Sequence, residues 1–283
     1  MRDPRSTSGG PRRRDLRGGP RGVIDRALNR ARGEAVGLCR THITRPLARH
    51  LPFGLFRRFH RLRRRMLPWR YTDADPFAIR YVDPDRIRRS ILEYAPRHPQ
   101  YGLVVGGSWD QRYDDFEATP VFRAIEARFV DGVSWDETGL YDCFIEQLDR
   151  FGNAWGYTTP AGFSARCDEL DRLFDAMQSD GFRRQEELSG DRWSRAPLPR
   201  LDEINVDIGH DGIILWRAYG QHRLAMAKVL DIEAVPVIVQ RRHRSWQHIR
   251  DILDEHGPSA VRDRLVAPDP HPDLQDLLVD REA

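Results

Sequence analysis

The stretch from Asp202 to Gln240 constrains the fold more than any other part of the chain. Ile204, Val206 and Ile208 alternate with Asn205 and Asp207, the period of a half-buried strand. His210-Asp211-Gly212 reads as a hairpin turn and Ile213 to Trp216 as its return strand. Gln221 to Leu230 reads as a helix, and Val235 to Gln240 as a buried strand. Gly220 stands where strand must turn into helix at once. Backbone amides at a helix start are unpaired, and the peptide dipoles add there to a positive end. The turn Gly220-Gln221-His222-Arg223 is therefore expected to bind an anion, foremost a phosphate. Arg223 offers a planar fork for phosphate oxygens, and His222 can hydrogen-bond, carry charge or shuttle a proton. The plainer alternative is a tight turn at Gly220, a satisfied, partly buried His222 and a surface Arg223.

This run, with Val235-Pro236-Val237 at the start of its last strand, resembles the ParB/sulfiredoxin superfamily. Members of that superfamily place a short G-x-[HR]-R motif between strand and helix. The upstream Ile79 to Ile87 is similar to the family's opening strand and helix. Together these cover roughly a quarter of the chain. A narrower likeness, to uncharacterised ParB-like proteins of haloarchaea, lies in VVGGSWDQRY, FVDGVSWDET and YGQHRLAMAKVL. The superfamily resemblance implies an α+β fold: a small mixed sheet, here with a long helical insertion and a basic helical N-terminal arm. It implies a phosphate or nucleotide, such as ATP with Mg2+, cradled by Gly220, Gln221, His222 and Arg223. Where kinase-like members carry Asp before the Gly, this chain has Tyr219, and no Cys lies in the motif as the sulfiredoxin reaction requires.

Other candidates surround this motif. The loop Gly106 to Gln111 has two Gly that let a ligand approach, Trp109 as a stacking face and Asp110 as a base or metal ligand. The alternative there is a turn with a core Trp. Asp110 and His222 are the expected catalytic pair. Asp114, Asp115 and Glu117 could hold Mg2+ or form an acidic loop face. Trp109, Glu203, Asp207 and His243 are expected to line a cleft, with Asp211 a further hairpin carboxylate. Trp246 follows the last strand, and Arg241, Arg242 and Arg244 could steer an anion or simply be solvated. Lys228, the only Lys beside 45 Arg, is expected to face solvent.

The basic charge is concentrated at the start of the chain. Residues 1–70 hold 20 Arg and four acidic residues, whereas the remaining 213 hold 26 basic and 39 acidic ones. Such an arm suits nucleic acid, anionic lipid or an acidic protein surface. Residues 1–22 read as a disordered basic tail and 23–70 as a basic amphipathic helical arm. In that arm Leu55, Phe59, Leu62 and Met66 fall on one helical face, with Arg57, Arg58, Arg61, Arg64 and Arg65 on the other. The apolar stripe either lies on an anionic membrane or packs on the body with the arginines outward. Residues 76–265 read as the ParB-like domain, with the insertion at about 117–185, and 266–283 as a loose tail.

Elsewhere, Asp83-Pro84 is expected to open a helix, and Ser134 with Glu137 forms a capping-box pattern. Cys39, Cys143 and Cys167 are odd in number and have no zinc-like spacing, so reduced thiols are expected. No apolar run spans a bilayer and no secretory signal is expected, which points to the cytoplasm, peripheral to a membrane if the arm docks there. Three functions remain open: a nucleotide-dependent phosphotransferase or hydrolase, a DNA-binding ParB-like module using the arm, and a non-enzymatic protein docking to a membrane or protein partner. No helix-turn-helix follows the ParB-like core.

Overall fold

The computed structural model describes residues 53–91, 100–188, 199–264 and 271–279. The basic tail 1–22, most of the arm and Cys39 lie outside these residues. The fold is α+β, with seven helices and a mixed seven-stranded sheet among the described residues. In chain order they are α1 (Phe53–Met66), β1 (Arg80–Val82), β2 (Arg89–Ile91), β3 (Leu103–Val105), β4 (Tyr113–Asp115), α2 (Pro120–Phe129), α3 (Leu140–Phe151) and α4 (Gly162–Asp180). There follow β5 (Ile204–Ile208), β6 (Ile214–Ala218), α5 (Gln221–Val229), β7 (Val235–His243), α6 (Arg244–His256) and α7 (Gln275–Val279).

The sheet runs β1-β7-β5-β6-β2-β4, and β3 also pairs with β7. The first half of β7 takes β1 antiparallel, Arg80 opposite Val237, and the second half takes β3 parallel, Leu103 opposite Arg241. On its other edge β7 pairs with β5 in parallel. Thus β3, β5 and β7 run the same way, and the loops that leave them emerge at one end of the sheet. That end is where ligands bind in many open sheets with parallel strands.

The core joins Ile204, Val206 and Ile208 of β5 with Val235, Val237 and Val239 of β7, under Leu224, Ala225 and Met226 of α5. The expectation of a half-buried β5 is corrected: all five residues are buried. The face bearing Asn205 and Asp207 is covered as well, and side chains reach Asn205 Oδ1 and Asp207 Oδ2, while Asp207 Oδ1 has no partner. Tyr101 and Gln240 donate to Asn205 Oδ1 at 2.9 and 2.7 Å. Arg217 and Arg241 donate to Asp207 Oδ2 at 2.7 and 2.8 Å. The β5–β7 register slips between Val206 and Ile208, where β7 has one extra residue. That bulge turns Arg241 onto the face of Asp207, which strict alternation would deny it.

Several local expectations are corrected. After Asp83-Pro84 the chain makes one 3-10 turn, Pro84–Arg86, and then enters β2. Ser134 caps no helix amide; its hydroxyl donates to Glu137 at 3.0 Å, and α3 begins only at Leu140, after Gly139. Lys228 does not face solvent: its side chain is 3% exposed and Nζ bonds Asp85 and Glu117. Residues 271–279 are not loose. Asp273 is buried and receives Arg242, Arg250 and the Trp246 indole, while His271 donates to the carbonyl of Gly212 at 2.8 Å. Arg242 and Arg250 pull the Asp273 carboxyl well below the usual range, although burial opposes them. A polar tail is held because two buried guanidiniums need its charge.

Candidate functional site

The Gly220 turn starts α5 through two consecutive left-handed residues, Tyr219 (φ 55) and Gly220 (φ 63). A Cβ on Gly220 would stand 2.9 Å from the Ile204 Cα, so the turn lies against the start of β5. Arg223 points inward. It donates to Glu203 at 3.0 Å and to the carbonyl of Arg183, and its guanidinium lies 4.2 Å from the centre of the Phe182 ring. The other Glu203 oxygen accepts the Gln185 amide at 2.6 Å. Burial pushes the Glu203 carboxyl up and the Arg223 guanidinium down, and their contact opposes both shifts. His222 is buried edge-on to Trp155, with ring centres 4.7 Å apart. Its Nδ1 is 3.4 Å from Arg166 and its Nε2 has no hydrogen-bond partner. Burial, helped by Arg166, holds the imidazole well below its ordinary pKa, so it is neutral. Gln221 is half-buried and Tyr219 exposed. As a cradle for nucleotide phosphates the tetrad offers one unpartnered buried polar atom, the His222 Nε2. Gly220 packs against Ile204, and the Arg223 charge is already matched by Glu203.

The other end of β5 holds a second cluster. Asp110, in the single turn Trp109–Gln111 after β3, is buried. Its Oδ2 accepts both the backbone amide and Nδ1 of His210, at 2.6 and 2.7 Å. Burial alone would raise Asp110; the two bonds from His210 outweigh it and hold the carboxyl low. The same bond raises His210, whose side chain is 48% exposed. The His243 ring lies 5.9 Å from that of His210 and 6.0 Å from that of Trp109. His243 accepts the Ser245 amide on Nδ1 and donates from Nε2 to the carbonyl of Gly107 at 2.8 Å, which assigns its neutral tautomer. The Arg241 guanidinium lies 3.8 Å from the centre of the Trp109 ring.

No family model matches the chain, and no curated protein and no solved structure matches it.

Trp109, Asp110 and His243 come together at the carboxyl ends of the parallel strands. Asp110 and His222 do not: they bracket opposite ends of β5, Asp110 at His210 and the α5 start at Ile204. Glu203 belongs to the α5 end, and Asp207 lies between, taken by Arg217 and Arg241. Arg241 and Arg242 are buried ion-pair partners, not steering charges, and Trp246 is core; only Arg244 of that run is exposed. Asp211 closes its own turn by accepting the Ile213 amide. Asp114 and Asp115 are exposed and Glu117 binds Lys228. Among the described residues no three His, Cys, Asp or Glu gather to hold a metal. Sequence reasoning missed His210, since it reads as a turn residue; its place directly after a strand end was the available signal.

The surface of α1 is a third region. Phe56, Arg57, His60 and Arg64 face the body. Phe56 meets Phe77, Arg57 pairs with Asp75 at 2.7 Å, His60 bonds the Thr72 carbonyl and Arg64 reaches Asp251. The packing expectation is corrected: Leu55, Phe59, Leu62 and Met66, with Trp69 beyond them, all point outward and are more than half exposed. Arg58, Arg61 and Arg65 are exposed beside them. Among the described residues no helix is long and apolar enough to cross a membrane.

Proposed function

We propose that this chain is a peripheral protein that seats α1 on an anionic lipid surface. One observation carries the reading: the body takes Phe56, Arg57, His60 and Arg64, leaving a continuous apolar stripe outward between exposed arginines. A helix with Phe, Leu and Trp on one face and Arg beside them suits the plane between headgroups and acyl chains. Each arginine near such a surface contributes about 1 kcal/mol, and the 20 Arg of residues 1–70 extend the attraction. Nucleic acid would use the arginines but not the stripe.

Co-sedimentation with vesicles tests this. The full chain should pellet with phosphatidylserine-containing vesicles and much less with phosphatidylcholine alone. The double variant Phe59→Asp/Leu62→Asp should bind at least about tenfold more weakly, because burying a Leu or Phe contributes ~1.5–3 kcal/mol. Its stability should be unchanged, since both side chains are exposed. Equal binding by the variant, or a stable dimer that the variant abolishes, would refute lipid docking. Salt-dependent DNA binding without vesicle binding would favour the ParB-like DNA module instead.

A second reading is that the α5 turn binds a phosphate or nucleotide, ATP with Mg2+ among the candidates. The buried, partnerless Nε2 of His222 and the start of α5 at Gly220 support it. It requires Arg223 to exchange Glu203 for a phosphate. Calorimetric titration of ATP, ADP and CTP with Mg2+ into wild type and His222→Ala/Arg223→Ala is the check: no heat with folded wild type removes this reading.

A further inference from the structure

The described residues include four buried carboxylates: Asp110, Glu203, Asp207 and Asp273. Three are matched by arginine: Glu203 by Arg223, Asp207 by Arg217 and Arg241, and Asp273 by Arg242 and Arg250. Asp110 alone is matched by an imidazole, and its second oxygen has no hydrogen-bond partner. An arginine holds its charge at any physiological pH, so such pairs serve as permanent fasteners. A histidine partner makes the pair titratable. Here the carboxylate is enclosed while half of the imidazole is exposed. The ring bonds Asp110 through Nδ1, which leaves Nε2 as its other polar atom.

The surroundings extend this polarity. Arg244 is exposed, lies against Gly106 and has no carboxylate partner among the described residues. Gly107 is exposed, with a left-handed φ of 95 and nothing within 4 Å of where a Cβ would stand. The His243 ring lies 5.9 Å from that of His210 with its nitrogens already used, and Arg244 follows His243 directly in the chain. We propose that His210, backed by Asp110, and Arg244 form an anion-binding site for small phosphates at the carboxyl ends of β3, β5 and β7. This site is separate from the α5 turn, which lies at the other end of β5.

The charged and titratable groups around His210 are Asp110 from the β3 loop, Asp211 in its own turn, and His243 at the end of β7. His271, which bonds Gly212 from the tail, is held neutral by burial near neutral pH. Asp110 and Asp211 both favour the imidazolium. Phosphate binding should therefore strengthen as pH falls through the His210 pKa, until the phosphate itself gains a proton.

The test is an NMR pH titration of the His210 ring in the full chain, without and with inorganic phosphate, beside calorimetric titration of the same anion. Phosphate should raise the His210 pKa. His210→Gln, whose amide can still donate to Asp110, should weaken binding about tenfold, as should Arg244→Ala, the scale of one charge-assisted bond. In His222→Ala, phosphate should raise the His210 pKa as it does in wild type. An unchanged His210 pKa in saturating phosphate, or full affinity in His210→Gln, would overturn the site. Loss of binding only in His222→Ala would move the phosphate to the α5 turn and overturn it equally. If His210→Gln fails to fold, the wild-type titration still decides.

Discussion

The two ends of β5 carry the same three chemical groups and use them differently. At the amino end, Glu203, Arg223 and His222 are buried together where α5 begins. At the carboxyl end, Asp110 is equally enclosed, but His210 is half exposed and Arg244 lies on the surface. A carboxylate, a guanidinium and an imidazole therefore do not define a function by being near each other. Burial decides. Once dehydrated, opposite charges must satisfy each other, and the result is a fastener. Left half in water, the same groups keep capacity for a ligand.

The sharpest way to break this contrast is Glu203→Gln. It strips the counter-charge from a buried Arg223 and should destabilise the protein by about 3–5 kcal/mol, read by denaturant unfolding. Asp110→Asn should cost clearly less, because His210 can give up its proton or turn to water. Equal losses would mean that both ends are fasteners. A smaller effect is expected of Gly220→Ala. The left-handed φ and the approach to Ile204 should together cost about 1–3 kcal/mol, whereas Gly107→Ala, with open space around it, should lose only the cost of its φ.

The smallest effect is in the pH profile, where the two histidines should pull in opposite directions. The folded pKa of His222 lies well below its unfolded value. The unfolded state therefore takes up the proton first, and stability falls as pH drops below about 6.5. The folded pKa of His210 is raised. Its contribution is fully present below about 6.5 and is lost as pH rises through the folded value. Stability curves of His222→Ala and His210→Gln against pH should each remove one of these slopes. If neither variant alters the profile, the burial contrast between the two sites is wrong.

Much of the fold was legible because its signals are local. The alternation in Ile204–Ile208, the glycine at Gly220, the apolar α5 and the Val-rich start of β7 each declare themselves within a few residues. The second half of β7 did not. Gln240 ends the expected buried strand, but Arg241 and Arg242, which could have been steering or solvated charges, are buried as well. Their partners Asn205, Asp207 and Asp273 lie about 30 residues away in sequence, and no local pattern reports such a match. The faces of α1 were left open for the same reason. The periodicity separated Leu55, Phe59, Leu62 and Met66 from the arginines, but which side met the body depended on Asp75, Thr72 and Phe77.

What the sequence determined by itself was therefore the order and type of the central elements, the Gly220 turn and the concentration of arginine before residue 70. Periodicity, backbone sterics and charge count act over short range and can be read directly. Only the tertiary structure decided that Arg223 serves Glu203, that His210 meets Asp110 across 100 residues and that the stripe of α1 faces outward. Each of these depends on which distant charge or surface shares the same volume. That is settled by the competition between dehydrating a polar group and pairing it, and the competition takes place only once the chain is folded.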